Sequence, residues 1–332
     1  MEMERDFKPA DPFLMVGFHH DRFPPRSTLR NTPGFPQHPH CGFETLTVTF
    51  PSDAMTDHAD SEGGRGRYGD GDVQWMSAGR GMAHSEMVAL KSADADNIGM
   101  VFQLWLNQPE KAKKAAPFTR MLWHEDVPKT RAGPGCGQVT AIAGPDATVA
   151  PPPDSWAADP ANAVRVEVLT LEPGESLDVV KADAASNLRL YPFVVEPGAK
   201  LVVSCGEDTT EVTKADGRVT LALRDSAKIA NAGAAGTIKV LRLEARPIDE
   251  PVFSSGPFVA ASQADLDAAF SDYQRGALVP KWPWQDEGPT HDNERRFYEH
   301  PGGREERGDP ISIPRPGPAA YLPSMGIVRP LS

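Results

Sequence analysis

The sequence predicts an all-β protein of barrel or sandwich type, and three observations carry that expectation. Short runs of β-branched, aromatic and aliphatic residues recur between turn residues, the pattern of many tightly joined strands rather than of a parallel α/β sheet. Glycine and proline are abundant, 29 and 33 among 332 residues, which suits turns and disfavours a helical bundle. Two stretches, residues 37–47 (QHPHCGFETLT) and 71–87 (GDVQWMSAGRGMAHSEM), concentrate three histidines and two glutamates beside glycine turns and run into strand-like sequence. The length allows about two domains, each large enough to bury a core.

Taken in order, the chain opens with MEMERDFKPADPF, a charged segment that does not read as a signal peptide. Residues 12–18 read as a short strand, followed by a long polar, Pro-rich loop. The adjacent His19 and His20 point to opposite faces of an extended backbone and read as surface loop histidines. Residues 43–50 (FETLTVTF) form a strand by composition. The polar stretch 51–72 reads as a loop with tight Gly-Asp turns. Strands follow at 73–77 and 83–88, separated by the turn 78–81. A strongly apolar strand spans 98–107 and ends at Pro109.

Residues 108–137 show little apolar periodicity and form the best candidate domain boundary. Short β-type runs then appear at 138–143, 164–171, 188–195, 200–204, 219–223 and 238–243, with Pro-Gly and Asp-Gly turns between them. Residues 262–276 predict a helix: Ser262 as N-cap, Asp265 three residues on, a stripe of Leu266, Ala269, Phe270 and Tyr273, and Gly276 as the stop. Residues 281–332 are rich in proline and charge and read as a tail with little secondary structure. Its aromatics Trp282, Trp284, Phe297, Tyr298 and Tyr321 imply that parts of it pack on something.

Composition narrows the partners. The formal net charge is −12 and the pI about 5.2, so the surface repels phosphate backbones and direct nucleic-acid binding is not expected. No apolar run approaches the roughly 20 residues of a membrane-spanning helix. Cys41, Cys136 and Cys205 are odd in number and far apart, which suggests neither a disulfide framework nor a zinc knuckle. They fit a reducing compartment, hence the cytoplasm, and the nucleus as well in a eukaryote.

The chemistry lies in the two stretches. In an extended backbone, residues i and i+2 share a face, so His38 and His40 can converge on one ion. His84 and Glu86 repeat that spacing on another strand. Facing each other across a barrel, these residues would present three imidazole nitrogens and one carboxylate, a donor set suited to Fe, Mn, Ni, Cu, Zn or Co. Glu44 competes with Glu86. It lies four residues after His40 with the same strand parity unless the Cys41-Gly42 turn breaks it, and would serve as ligand, as a carboxylate orienting a histidine, or as a base.

The strings HPHCGFET and GDVQWMSAGRGMAHSEM resemble the two signature stretches of the pirin family, within the cupin superfamily. The similarity extends to DPFLM at 11–15, GFP before the first histidine, QLWLNQP at 103–109, and GPFV followed by a helix ending DYQRG, covering most of residues 11–276. It implies two cupin β-barrels (a bicupin, or double-stranded β-helix) with a short C-terminal helix. The expected division is an N-terminal metal barrel at 1–130, a C-terminal barrel without metal at 131–260, a packing helix at 261–280, and an extended Pro-rich tail at 281–332, which is not a usual feature of the family. The resemblance places the metal ligands on His38, His40, His84 and Glu86, names Fe(II) as the metal, and leaves Glu44 as a catalytic pocket residue. His58 matches a family histidine near the pocket mouth. Cys41 stands where the family usually has arginine, putting an oxidisable thiol or simply a small buried residue beside the site. Residues 125–290 hold no histidine, so a second histidine site in the C-terminal barrel is not expected.

The implied function is an Fe-dependent dioxygenase acting on a small flavonol such as quercetin, with Glu44 taking the substrate hydroxyl proton. The alternative is a non-enzymatic, metal- and redox-dependent regulator that binds a protein partner, either a transcription complex or a metabolic enzyme.

Overall fold

A computed structural model of the chain describes residues 11–215, 219–291 and 295–308. It divides into two compact units, one formed by Phe13–His124 with residues from Glu250 onward, the other by Glu125–Asp249 with the segment ending at Pro12.

The first unit carries β1 (Phe13–Phe23), β2 (Gly34–His40), β3 (Phe43–Thr49), β4 (Ala54–Asp60), β5 (Arg65–Tyr68), β6 (Val73–Ser77), β7 (Met82–Leu90), β8 (Asn97–Asn107) and β9 (Phe118–Leu122). The second carries β10 (Lys129–Arg131), β11 (Gln138–Ala143), β12 (Arg165–Leu171), β13 (Ser176–Val179), β14 (Asn187–Val195), β15 (Leu201–Cys205), β16 (Asp208–Val212), β17 (Leu221–Leu223), β18 (Ala227–Asn231) and β19 (Ile238–Ala245). The chain then returns to the first unit through β20 (Phe253–Ser255), β21 (Phe258–Ala260), α1 (Gln263–Gln274), β22 (Arg296–His300) and β23 (Gly303–Arg307).

Two antiparallel sheets form the barrel of the first unit, in the orders β1-β8-β3-β6-β9 and β2-β7-β4-β5-β22-β23. The second unit is likewise two-layered, β10-β11-β12-β19-β14-β17 and β13-β18-β15-β16. Its core includes an aliphatic cluster with Leu171, Leu190, Leu201, Ile229, Ile238 and Val240. The observed α1 matches the sequence signals: the Ser262 hydroxyl accepts the Asp265 backbone N–H at 3.1 Å, and Leu266 is its buried residue.

Three sequence expectations change. Residues 51–72 are not a loop: β4 and β5 pair with each other and with β7. Both of their faces carry buried polar side chains, His58 and Asp60 on the face of Glu86 and His84, Asp57 and Arg67 on the other, so hydrophobic alternation, the usual strand signal, is absent. β1 runs on to Phe23, which puts His19 and His20 in a strand rather than a loop. The tail is also partly structured, because β22 adds to the edge of β5 and β23 completes a hairpin. Part of it is buried against the barrel: Arg296 contacts Asp72 at 2.5 Å, and Phe297 and Tyr298 are buried. Tyr321 lies outside the described residues. No helix among the described residues is long and apolar enough to cross a membrane.

Candidate metal centre

β2 and β7 are antiparallel neighbours, with His38 opposite His84. Because side chains alternate along a strand, His38 and His40 turn to the same interior as His84 and Glu86. The ring nitrogens of His38, His40 and His84 fall within 4.8 Å of one another. Glu86 Oε2 lies 3.8 Å from His84 Nε2.

Two glycines make this approach feasible. Gly34, at φ 139°, lies against β7, and a Cβ there would stand 2.5 Å from the Glu86 carbonyl oxygen. Gly42, at φ 81°, ends the first motif, and a Cβ would come within 1.9 Å of the Val259 carbonyl. Only glycine takes such conformations at these distances without displacing the backbone.

The imidazoles are electrically prepared for a cation. Burial lowers the pKa of all three, with neighbouring histidines lowering His40 and His84 further. They are therefore neutral at physiological pH, with lone pairs available. His38 Nδ1 donates to the Pro36 carbonyl at 2.9 Å, which fixes its proton there and leaves Nε2 as the free donor atom. His40 Nε2 and His84 Nε2 face each other at 3.0 Å. The Nδ1 atoms of both rings are buried without hydrogen-bond partners. Three neutral imidazoles around one point with a carboxylate alongside fit a borderline divalent transition ion.

Glu86 is held by residues that the sequence reading did not single out for it. The Thr47 hydroxyl lies between Gln103 Oε1 at 2.6 Å and Glu86 Oε1 at 3.0 Å, and Gln103 donates its amide N–H to Glu86 Oε2 at 3.2 Å. Burial nonetheless raises the Glu86 pKa to about 7, against the lowering effect of these bonds. Alternation along β3 and β8 could have suggested Thr47 and Gln103, since they stand opposite each other in register.

Glu44 is not brought to the triad. The turn at Gly42 breaks the parity between His40 and β3, so Phe43 rather than Glu44 meets the His40 ring, centroid to centroid at 5.0 Å. Glu44 shares the opposite face of β3 with Leu46, is fully buried, and accepts the Trp75 indole N–H at 2.6 Å. Its expected place as a pocket base is therefore corrected. His58 sits on β4 opposite Glu86, fully buried, its ring 5.4 Å from that of His84. Burial first, then His291 and His38, bring its pKa down to about 3.

Cys41 turns away from the triad into a cluster with Phe258, Ala260 and Leu266. Burial pushes its thiol up to about 11, so it is a small packing residue rather than a reactive one. Asp72, beside His124, is already neutralised by Arg296.

The triad opens into a cavity of about 460 Å³. Its wall is mostly apolar, including Phe23, Phe35, Met55, Val88, Met100 and Trp105, and it also carries His19, Asp21 and Gln103. Glu44 does not line it. Size and lining are those of a small-molecule site.

Known proteins match this architecture. The profile described as Pirin covers residues 2–106, and the one described as Pirin C-terminal cupin domain covers residues 169–279. The pirin-like protein of Caulobacter vibrioides is 33% identical over 266 residues, spanning 80% of this chain and 87% of that protein. Pirin-like protein 2 of Arabidopsis thaliana is 30% identical over 269 residues, spanning 81% of this chain and 76% of that protein. The crystal structure of quercetin 2,3-dioxygenase from Acinetobacter baumannii superposes with a TM-score of 0.69 at 26% identity, covering 84% of this chain and 90% of that one. With its all-β bicupin fold and these relatives, the chain belongs to the pirin family.

Proposed function

We propose that this protein is an Fe(II)-dependent dioxygenase acting on a flavonol such as quercetin. The observation that carries the reading is the junction of a histidine triad and an apolar cavity of about 460 Å³ within one barrel. The naming of a structurally similar Acinetobacter baumannii protein as a quercetin 2,3-dioxygenase supports the substrate class.

His38, His40 and His84 would hold the ion, with Glu86 as fourth ligand. A bound divalent transition ion supplies Lewis acidity and a template for a chelating substrate. The chain does the rest. Thr47 and Gln103 orient the Glu86 carboxylate through its two oxygens. Glu86 also takes over the proton-accepting role that sequence gave to Glu44, since it is the carboxylate beside the imidazoles. Phe35, Trp105 and the methionines of the wall exclude water and present flat, polarisable surface to an aromatic ring.

Anaerobic loading with Fe(II), followed by admission of air and quercetin, tests the proposal. Loss of the flavonol absorbance at a rate proportional to bound iron is expected. Fully loaded protein that leaves quercetin intact would overturn the substrate assignment.

A further inference from the structure

His19 belongs to the cavity wall, not to the metal triad. Met15, His19, Asp21 and Phe23 share one face of β1 and all line the cavity. The residue between Met15 and His19 on that face is Gly17, and a Cβ there would stand 3.6 Å from His19 Nε2 and 3.8 Å from Met15 Cε. The missing side chain gives the imidazole edge room along the wall. The His19 ring meets Phe35 edge-on at 6.3 Å, and Phe35 meets His38 at 6.2 Å. One aromatic ring thus separates His19 from the triad.

Three of the other polar groups nearby are already engaged, while Asp21 stands two residues from His19 on the same face. Thr47 and Gln103 hold Glu86, and the Thr49 hydroxyl donates to the Asp72 carbonyl at 2.7 Å. No described residue hydrogen-bonds the His19 ring, although His19 is mostly shielded from solvent. Burial lowers its pKa, while Asp21 opposes the shift. The ring is therefore neutral at physiological pH and offers one N–H and one lone pair.

We infer that His19 is a specificity-determining residue, whose imidazole hydrogen-bonds a hydroxyl on the end of a planar phenolic substrate remote from the histidine triad. This rests on the flavonol reading above. A site that spends a shielded polar group on one hydroxyl discriminates against an analogue lacking it, because the group is then left unpaired. An apolar wall alone would bind both about equally.

The test is a direct binding measurement on anaerobic, metal-loaded full-length protein, read by quenching of tryptophan fluorescence, since Trp105 lines the cavity. Two probes are compared: quercetin, and 3-hydroxyflavone, which keeps the chelating oxygens but has no remote hydroxyl. Wild type is expected to bind quercetin about tenfold more tightly. His19→Phe is expected to lose that preference while holding 3-hydroxyflavone and metal as wild type does. His19→Gln, which keeps a donor and an acceptor, is expected to recover part of it. Flavonol binding with the same preference in wild type and His19→Phe would overturn the role of His19 and leave the flavonol reading standing. Failure of wild type to bind either probe would overturn the flavonol reading and this inference with it.

Discussion

Glu86 concentrates the pH behaviour of the centre. Its carboxyl is pushed up to about 7 by burial, whereas the three imidazoles are shifted down. A proton on Glu86, not on a histidine, therefore competes first with the metal as the pH falls. Metal affinity of wild type is expected to drop about tenfold per pH unit below neutrality, and Glu86→Gln is expected to flatten that dependence. Titrations with a competing chelator at several pH values check both. Without metal, the folded chain holds a proton that the unfolded chain releases between its ordinary pKa of 4.5 and about 7. The Glu86 contribution to the stability of the metal-free protein should accordingly fall as pH rises through that window, by about 3 kcal/mol, and is read in denaturant titrations as the difference between wild type and Glu86→Gln, because the buried histidines, with lowered pKa values, add stability over the same window. Cys41 makes the opposite kind of prediction. With its thiol at about 11, roughly one molecule in ten thousand carries the thiolate at neutral pH. Alkylation followed by mass spectrometry should modify Cys41 last of the three cysteines. First modification at Cys41 would contradict its packing role.

At the scale of elements, the legible parts of the sequence were those with the usual local chemistry. The helix was readable because a serine cap, an acidic first turn and an apolar stripe coincide. The histidine-bearing strands β2 and β7 were readable because the i, i+2 spacing puts both side chains of each pair on one face. β4 and β5 were hidden, since buried polar residues occupy both of their faces and erase the alternation by which strands are recognised. The position of Glu44 is not legible from spacing for a similar reason: parity counts only along unbroken strands, and Gly42 breaks this one. β22 was masked by arginines and glutamates whose partners lie more than 200 residues away, as with Arg65 and Glu299. The strap leading into it binds the site strands closely. The Trp284 indole donates to the Asp60 carbonyl at 3.0 Å, and the Gln37 N–H, next to His38, donates to the Glu287 carbonyl at 2.6 Å. At its centre, Arg67 and Asp57 form a fully buried ion pair at 2.6 Å, and Arg67 also donates to the His291 carbonyl. Removing one partner strands the other's charge in the core. Arg67→Met is expected to destabilise the fold by about 3–5 kcal/mol in a denaturant titration and to weaken metal binding. A cost below about 1 kcal/mol would mean that the strap is dispensable.

For the whole molecule, the two units have the same kind of two-layer architecture and unequal chemistry. Residues Glu125–Asp249 contain no histidine, and their interior combines an aliphatic cluster with the buried ion pairs of Arg242 to Glu167 and Glu244. Metal analysis should find one ion per chain. Hydrogen exchange should show metal-dependent protection in β2, β3 and β7, with β12, β14 and β19 unchanged. Two ions per chain, or protection spread over both units, would contradict this division.

The hairpin at the end of the described chain also has a consequence for association. A sheet that stops at an open strand offers unpaired backbone groups to any other extended chain. Here the six-stranded sheet is carried past β5 to β23, whose sequence is Gly-Arg-Glu-Glu-Arg. Among the described residues, the outermost strand of that sheet is thus lined with charge of both signs, and Arg304 pairs with Glu299 and Glu306. An incoming strand would have to strip water from these groups with nothing apolar to gain. The extension therefore acts as a gatekeeper for the barrel that carries the triad, directing that sheet edge away from edge-to-edge aggregation.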